Sequence, residues 1–146
     1  MWLYSIVTYL HFISIFILFS ALIVELSIIK RKMASSNFII LKKADLFFGI
    51  SAGFTIVTGL FRLYYFGKGE DYYLSNSIFI LKFSLFILVG LLSIYPTLQF
   101  LKLRKLKTEF IELKHFKIIR LLLIIELILL LVIPFLAVLI AKGIEL

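Results

Sequence analysis

Residues 76–101 read NSIFILKFSLFILVGLLSIYPTLQFL, and this stretch decides the architecture. A helix that crosses a bilayer needs about 20 mostly apolar residues, and the run from Asn76 to Leu101 exceeds that. Lys82 stands inside it, about 9 Å in from Asn76 at roughly 1.5 Å of rise per residue. A lysine at that depth must find a partner, snorkel to the surface or line a wet cavity. Reading function from this chain is therefore a search for what faces Lys82.

The composition agrees with a membrane class. Of 146 residues, 63% are hydrophobic and 16% charged, against about 45–50% apolar and about 25% charged in soluble domains. The excess apolar residues cannot all be buried in a soluble core of this size. The length suits a single transmembrane domain over residues 1–146. There is no cysteine, which removes disulfides, thiolate nucleophiles, iron–sulfur clusters and thiolate metal sites. The net charge of +8 has its source in two basic loops, so the partner it implies is the lipid bilayer and not nucleic acid.

Four spans follow from the apolar runs: about 2–29, 44–66, 76–101 and 117–141. The first has no basic residue before Lys30, so it lacks the charged start of a cleaved signal peptide and reads as a retained helix. The first loop carries Lys30, Arg31, Lys32, Lys42 and Lys43. The third carries Lys102, Arg104, Lys105, Lys107, Lys114 and Lys117. The second loop and the tail carry only Lys68 and Lys142. Under the positive-inside rule both basic loops face the cytoplasm and both termini lie outside. Short loops between four spans give an all-α, up-down-up-down four-helix bundle in the bacterial inner membrane.

Polar residues inside the spans are costly and usually turn inward. They are His11 and Glu25, Asp45 and Arg62, Lys82, and Arg120 and Glu126. His11, Arg62 and Lys82 fall in the outer third, Glu126 nearer the middle, and Glu25, Asp45 and Arg120 near the cytoplasmic face. His11 and Glu25 share a helical face with Ser14 and Ala21. On the second span, Asp45, Gly49, Ala52, Gly59 and Arg62 form a stripe of polar and small residues, with Gly53, Thr55 and Thr58 at its edges. Such a stripe allows close helix approach. Asp45 also reads as a plain cap at the start of that span, and Arg120 as a snorkelling side chain.

Three functions compete for this set. A neutral imidazole can ligate haem iron, and Lys82 and Arg62 at the depth of His11 suit acidic substituents. His115 lies at the opposite side, and one histidine is too few for a dedicated zinc or copper site. A His–Lys–Glu set can also pass protons or hold an anion. Third, the polar residues can be internal glue in an accessory bundle that binds a second copy or another membrane protein.

The run from Ala44 to Leu101 resembles a family of bacterial predicted membrane proteins, the domain-of-unknown-function family numbered twenty-two fourteen. The resemblance rests on Ala44-Asp45, Thr58-Gly59-x-x-Arg62, Phe66-Gly67-Lys68-Gly69 with Tyr72-Tyr73 and Asn76, Lys82, and the run from Gly90 to Thr97. His11, Glu25, Arg120 and Glu126 also match, so it covers nearly the whole chain. It implies a four-span inner-membrane protein and no assigned activity. More distantly, the chain is similar to HemJ-type membrane protoporphyrinogen oxidases. There a first-span histidine and a third-span lysine form the functional pair, and haem b is bound through histidine. His11 and Lys82 occupy comparable places.

The expectation is a polar intramembrane site of His11, Arg62, Lys82 and Glu126. It would hold haem b or a quinone-like redox group, with His11 as the metal ligand and the loop from Gly67 to Asn76 over its outer mouth. The alternative is an accessory or transport component without a cofactor. Whether the chain is an enzyme stays open.

Overall fold

The computed structural model of the chain describes residues 2–66, 70–103 and 109–143. Four helices in it are long and apolar enough to cross a membrane. They are α1 (Trp2–Ile28), α2 (Ser35–Phe61, extended by a π-helical turn, Arg62–Phe66), α4 (Ser77–Leu103) and α5 (Phe116–Ala141). A short helix α3 (Glu70–Ser75) precedes α4, and two short strands, β1 (Lys32–Ala34) and β2 (Phe110–Glu112), flank the connections. The long helices pack in a ring, α1 on α2, α2 on α4, α4 on α5 and α5 on α1. The bundle is therefore two antiparallel hairpins side by side, with both termini at one end and both basic connections at the other.

Hydrophobicity alone does not hold helices together in lipid, because lipid is as apolar as leucine; packing and polar contacts do. Accordingly Phe54, Leu91 and Leu131 stay exposed on the bundle surface. The buried core lies towards the basic end, where Phe38 meets Phe100 edge-on at 6.4 Å between ring centroids, beside Leu22, Leu41, Ile119 and Leu123.

The ends of the elements differ from the sequence reading in instructive ways. The second span begins at Ser35 and not near residue 44. Ser35, Ser36 and Asn37 form its first turn, while Phe38 and Leu41 of the same stretch are buried. Polar composition pointed to a loop; burial of one apolar face made it helix. Lys42 is accommodated by lying over the Phe38 ring, 5.0 to 6 Å being the usual reach of such contacts, here 5.4 Å. Asp45 consequently sits about 15 Å inside the helix at 1.5 Å per residue and caps nothing. Asn76 is the cap of α4 and not part of it: its Oδ1 accepts from the Phe79 amide at 3.1 Å. Of the loop expected from Gly67 to Asn76, residues 70–75 are helical, and Gly67, Lys68 and Gly69 lie outside the described residues, as do Arg104, Lys105 and Lys107.

The two basic connections pair with one another. β1 and β2 form an antiparallel ribbon with Met33 opposite Ile111. The ribbon alternates as a half-buried pair should: Met33 and Ile111 point into the bundle, with Leu113 beyond them, and Lys32 and Glu112 point out. It continues through the Leu113 amide to the Arg31 carbonyl at 2.8 Å and the Ser35 amide to the Glu109 carbonyl at 3.0 Å. The ribbon thus closes the basic end of the bundle with apolar side chains.

The Arg31–Glu112 ion pair on the ribbon, at 3.3 Å, is exposed on both sides, and such pairs contribute about 0–1 kcal/mol. Ile111→Ala removes a fully buried side chain and should cost about 2–5 kcal/mol, whereas Arg31→Ala should leave stability almost unchanged. Thermal unfolding of the two variants in the same detergent measures the contrast.

Candidate functional site

The antiparallel register of α1 and α2 is set by hydroxyls. Thr55 Oγ1 donates to Ser14 Oγ at 2.9 Å, and Ser14 Oγ lies 2.8 Å from the His11 carbonyl. One turn further out, His11 Nδ1 meets Thr58 Oγ1 at 2.8 Å. The Thr58 hydroxyl has one proton and also lies 2.7 Å from the Phe54 carbonyl; where that proton goes to the carbonyl, Nδ1 is the donor to Thr58 and the lone pair falls on Nε2. The ring lies against Gly59: a Cβ there would meet His11 Cε1 at 3.5 Å, an ordinary van der Waals contact.

The helix then widens. The π-helical turn opens at Arg62, and single π turns recur at functional sites. Arg62 and Lys82 both lie within electrostatic reach of His11, and Arg62 of Lys82. Lys82 Nζ rests over the Phe79 ring at 5.2 Å, a ring that also packs on Tyr73 of α3. α3 therefore stands beside this cluster, as the sequence reading placed the outer loop. The buried polar atoms at this end without a partner are Thr8 Oγ1, Arg62 Nε and Asn76 Nδ2. Each carries a hydrogen to donate. No carboxylate pairs with His11, Arg62 or Lys82 among the described residues.

Glu126 does not join them. It lies at the other end, within electrostatic reach of Asp45, and Glu25 is within reach of both. The reason is register. Lys82 stands near the start of α4, and the early turns of α4 pack on the late turns of α5, with Ile78 against Leu136 and Ile140. Glu126 is about 15 Å along α5 from Leu136, counting 1.5 Å per residue. A charged residue near the middle of a span was assigned to the wrong neighbours. The polar set thus divides in two: His11, Arg62 and Lys82 at the terminal end, and Glu25, Asp45 and Glu126 at the ribbon end.

The buried stripe of α2 also differs. Ser51, Thr55 and Thr58 face inward, while Gly49 and Gly53 are exposed with nothing near them. The i, i+4, i+7 spacing of the three hydroxyls is the sequence signal for this face. Arg120 is exposed and lies over the Phe116 ring at 5.9 Å, in keeping with a snorkelling side chain. His115 contacts Tyr95 at the ribbon end, far from His11. No group of three metal-ligating side chains occurs among the described residues.

An apolar crevice of about 240 Å³ opens between α1, α2 and α4, lined among others by Leu18, Ala52, Ile56, Phe86 and Gly90. Its outer lining residues Phe86 and Leu18 stand one turn from Lys82 on α4 and two turns from His11 on α1, and the crevice is lined by apolar residues and not by the cluster itself.

Thr58→Val keeps the shape of the side chain and deletes the acceptor for Nδ1. The nitrogen-15 shifts of the His11 ring should show one neutral tautomer in the wild type and a mixture in the variant.

The whole chain, residues 3–145, matches a protein family described as "Predicted membrane protein (DUF2214)". No curated protein and no solved structure matches it. With four spanning helices and a match over nearly its full length, the chain belongs to this family of predicted membrane proteins.

Proposed function

We propose that the terminal-end cluster binds the head of a quinone-like redox group whose apolar tail lies in the crevice between α1, α2 and α4. The observation that carries this reading is a set of buried donors without acceptors among the described residues, one to two helical turns outward of an apolar crevice. Arg62 Nε and Asn76 Nδ2 are buried with hydrogens to give, and Lys82 adds a cation. A quinone offers carbonyl oxygens to such donors, and hydrogen bonds from charged donors are the strong ones. His11, where its proton is on Nδ1, would accept at Nε2 from a hydroxyl of the reduced form. When bound, the group would supply electron transfer; the chain's own residues bind and orient its head and exclude water.

Haem b would call on the same residues, with His11 to hold the iron and Arg62 and Lys82 to pair its acidic substituents. The fit is poorer. Pockets that enclose drug-sized ligands run from about 300 to 1,000 Å³, and the crevice of about 240 Å³ is narrower than a rigid macrocycle needs. A single ring with a flexible tail suits it better. We place the protein in the bacterial inner membrane with the ribbon end in the cytoplasm, on the charge asymmetry of its connections. The head group would then lie near the outer leaflet.

The test is extraction of bound isoprenoid lipids from protein purified in mild detergent, with an absorption spectrum of the same sample. A quinone should co-purify with the wild type. A hydrogen bond from a charged group is worth about 1.5–3 kcal/mol, so Lys82→Met should lower quinone affinity about tenfold or more. A Soret band lost in His11→Ala would put haem in its place. A colourless, well-folded protein free of quinone would leave the accessory or transport reading.

A further inference from the structure

The ribbon end carries the opposite imbalance. Glu25 on α1 is 1% exposed and Glu126 on α5 is 0% exposed. Glu25 Oε1 and both carboxyl oxygens of Glu126 have no hydrogen-bond partner. Asp45 on α2 lies within electrostatic reach of both, and it alone is partnered, accepting from Thr97 Oγ1 of α4 at 2.6 Å. Three spanning helices therefore bring a carboxyl within electrostatic reach of one another, and the fourth adds the Thr97 hydroxyl that Asp45 holds.

Several described cations towards this end have other contacts, Lys43 is exposed, and Arg104, Lys105 and Lys107 lie outside the described residues. Lys42 lies over Phe38, Arg120 over Phe116 and Lys32 over Phe110, Arg31 pairs with Glu112, and His115 packs on Tyr95. None of them pairs with Glu25, Asp45 or Glu126 among the described residues. Taking an ionised carboxylate into an apolar interior without a counter-ion costs several kcal/mol, so something positive must share this space. The three carboxyls are not grouped to hold one metal ion.

We infer that Glu25, Asp45 and Glu126 form an intramembrane proton-binding site, in which a carboxyl oxygen takes up and releases a proton in exchange with water. Uptake forms one O–H bond on Glu126 or Glu25, and release returns the proton to solvent. Asp45, half-buried and held by Thr97, is the most accessible of the three and the point of exchange. Below the carboxyls the ribbon residues Met33, Ile111 and Leu113 exclude bulk water. This inference does not rest on the quinone reading, since it concerns other residues about 20 Å away along α1 at 1.5 Å per residue.

Dicyclohexylcarbodiimide tests it. The reagent takes the proton of a neutral carboxylic acid and then bonds to its oxygen, so it marks protonated carboxyls in apolar surroundings. In the folded wild-type protein, peptide mass spectrometry should find the adduct on Glu126 or Glu25. Labelling should fall at least tenfold from neutral to strongly alkaline medium and be insensitive to Na⁺. The carboxylic C=O infrared band of the unlabelled protein should fade and return over the same range, and lose intensity in Glu126→Gln and in Glu25→Gln. A fixed structural proton would give a band that does not respond to pH, and that result overturns the proposal. So does a folded wild type with no adduct at either residue. Protection by Na⁺ would overturn it in favour of a metal cation.

Discussion

The hydrocarbon layer offers no water, so each polar group inside it must be satisfied by the protein or by something bound to it. The hydroxyl seam between α1 and α2 meets that requirement internally. Ser14, Ser51, Thr55 and Thr58 either bond back to their own helix or join across to the other. The seam fixes the register of the first hairpin and, through Thr58, the orientation of His11. Everything at the terminal end depends on this, because a rotation of either helix would carry His11 away from Gly59 and from Arg62.

The same requirement is left unmet in two places, with opposite sign. At the terminal end the unpartnered atoms are donors; at the ribbon end they are carboxyl oxygens. An ion pair of Lys82 with Glu126 would have joined the two ends. The antiparallel register of α4 on α5 prevents it, because the outer turns of α4 face Leu136 and Ile140. Buried polar groups left without partners are uncommon enough to call for a reason. Separation into two clusters leaves each one with unpartnered polar atoms among the described residues.

Much of the architecture is legible in the residues. Four apolar runs and the uneven placement of lysine and arginine lead to four spans and their order, because length and apolarity are the property the bilayer selects. The inward face of α1 is legible too, since Ser14, Ala21 and Glu25 keep helical spacing and are all buried. The start of α2 is not, because Ser35 to Lys43 is polar by composition and helical only through the burial of Phe38 and Leu41. The ribbon is hidden for another reason. It pairs residues from two distant connections, and nothing local in Lys32–Ala34 or Phe110–Glu112 marks either as a strand. His11, Arg62 and Lys82 could be grouped by depth alone. Glu126 could not be placed, since a residue near the middle of a span is assigned only by knowing how far one helix has slid along the next.

The sliding of the helices also limits what the two clusters can do together. The hydroxyl seam runs inward from His11 and ends at Ser51, whose hydroxyl turns back to the carbonyls of Phe47 and Phe48. From there Asp45 is about 9 Å further along α2, counting 1.5 Å per residue, past the buried ring of Phe48. A continuous row of hydroxyls would have made a proton path from one cluster to the other. The break, filled by Phe48 and the apolar side chains around it, keeps proton exchange at the ribbon end separate from whatever binds beside His11. The apolar crevice opens on the same stretch, with Phe48, Ala52 and Ile56 of α2 facing Phe86 and Gly90 of α4, so the interior between the two clusters is apolar on both helices.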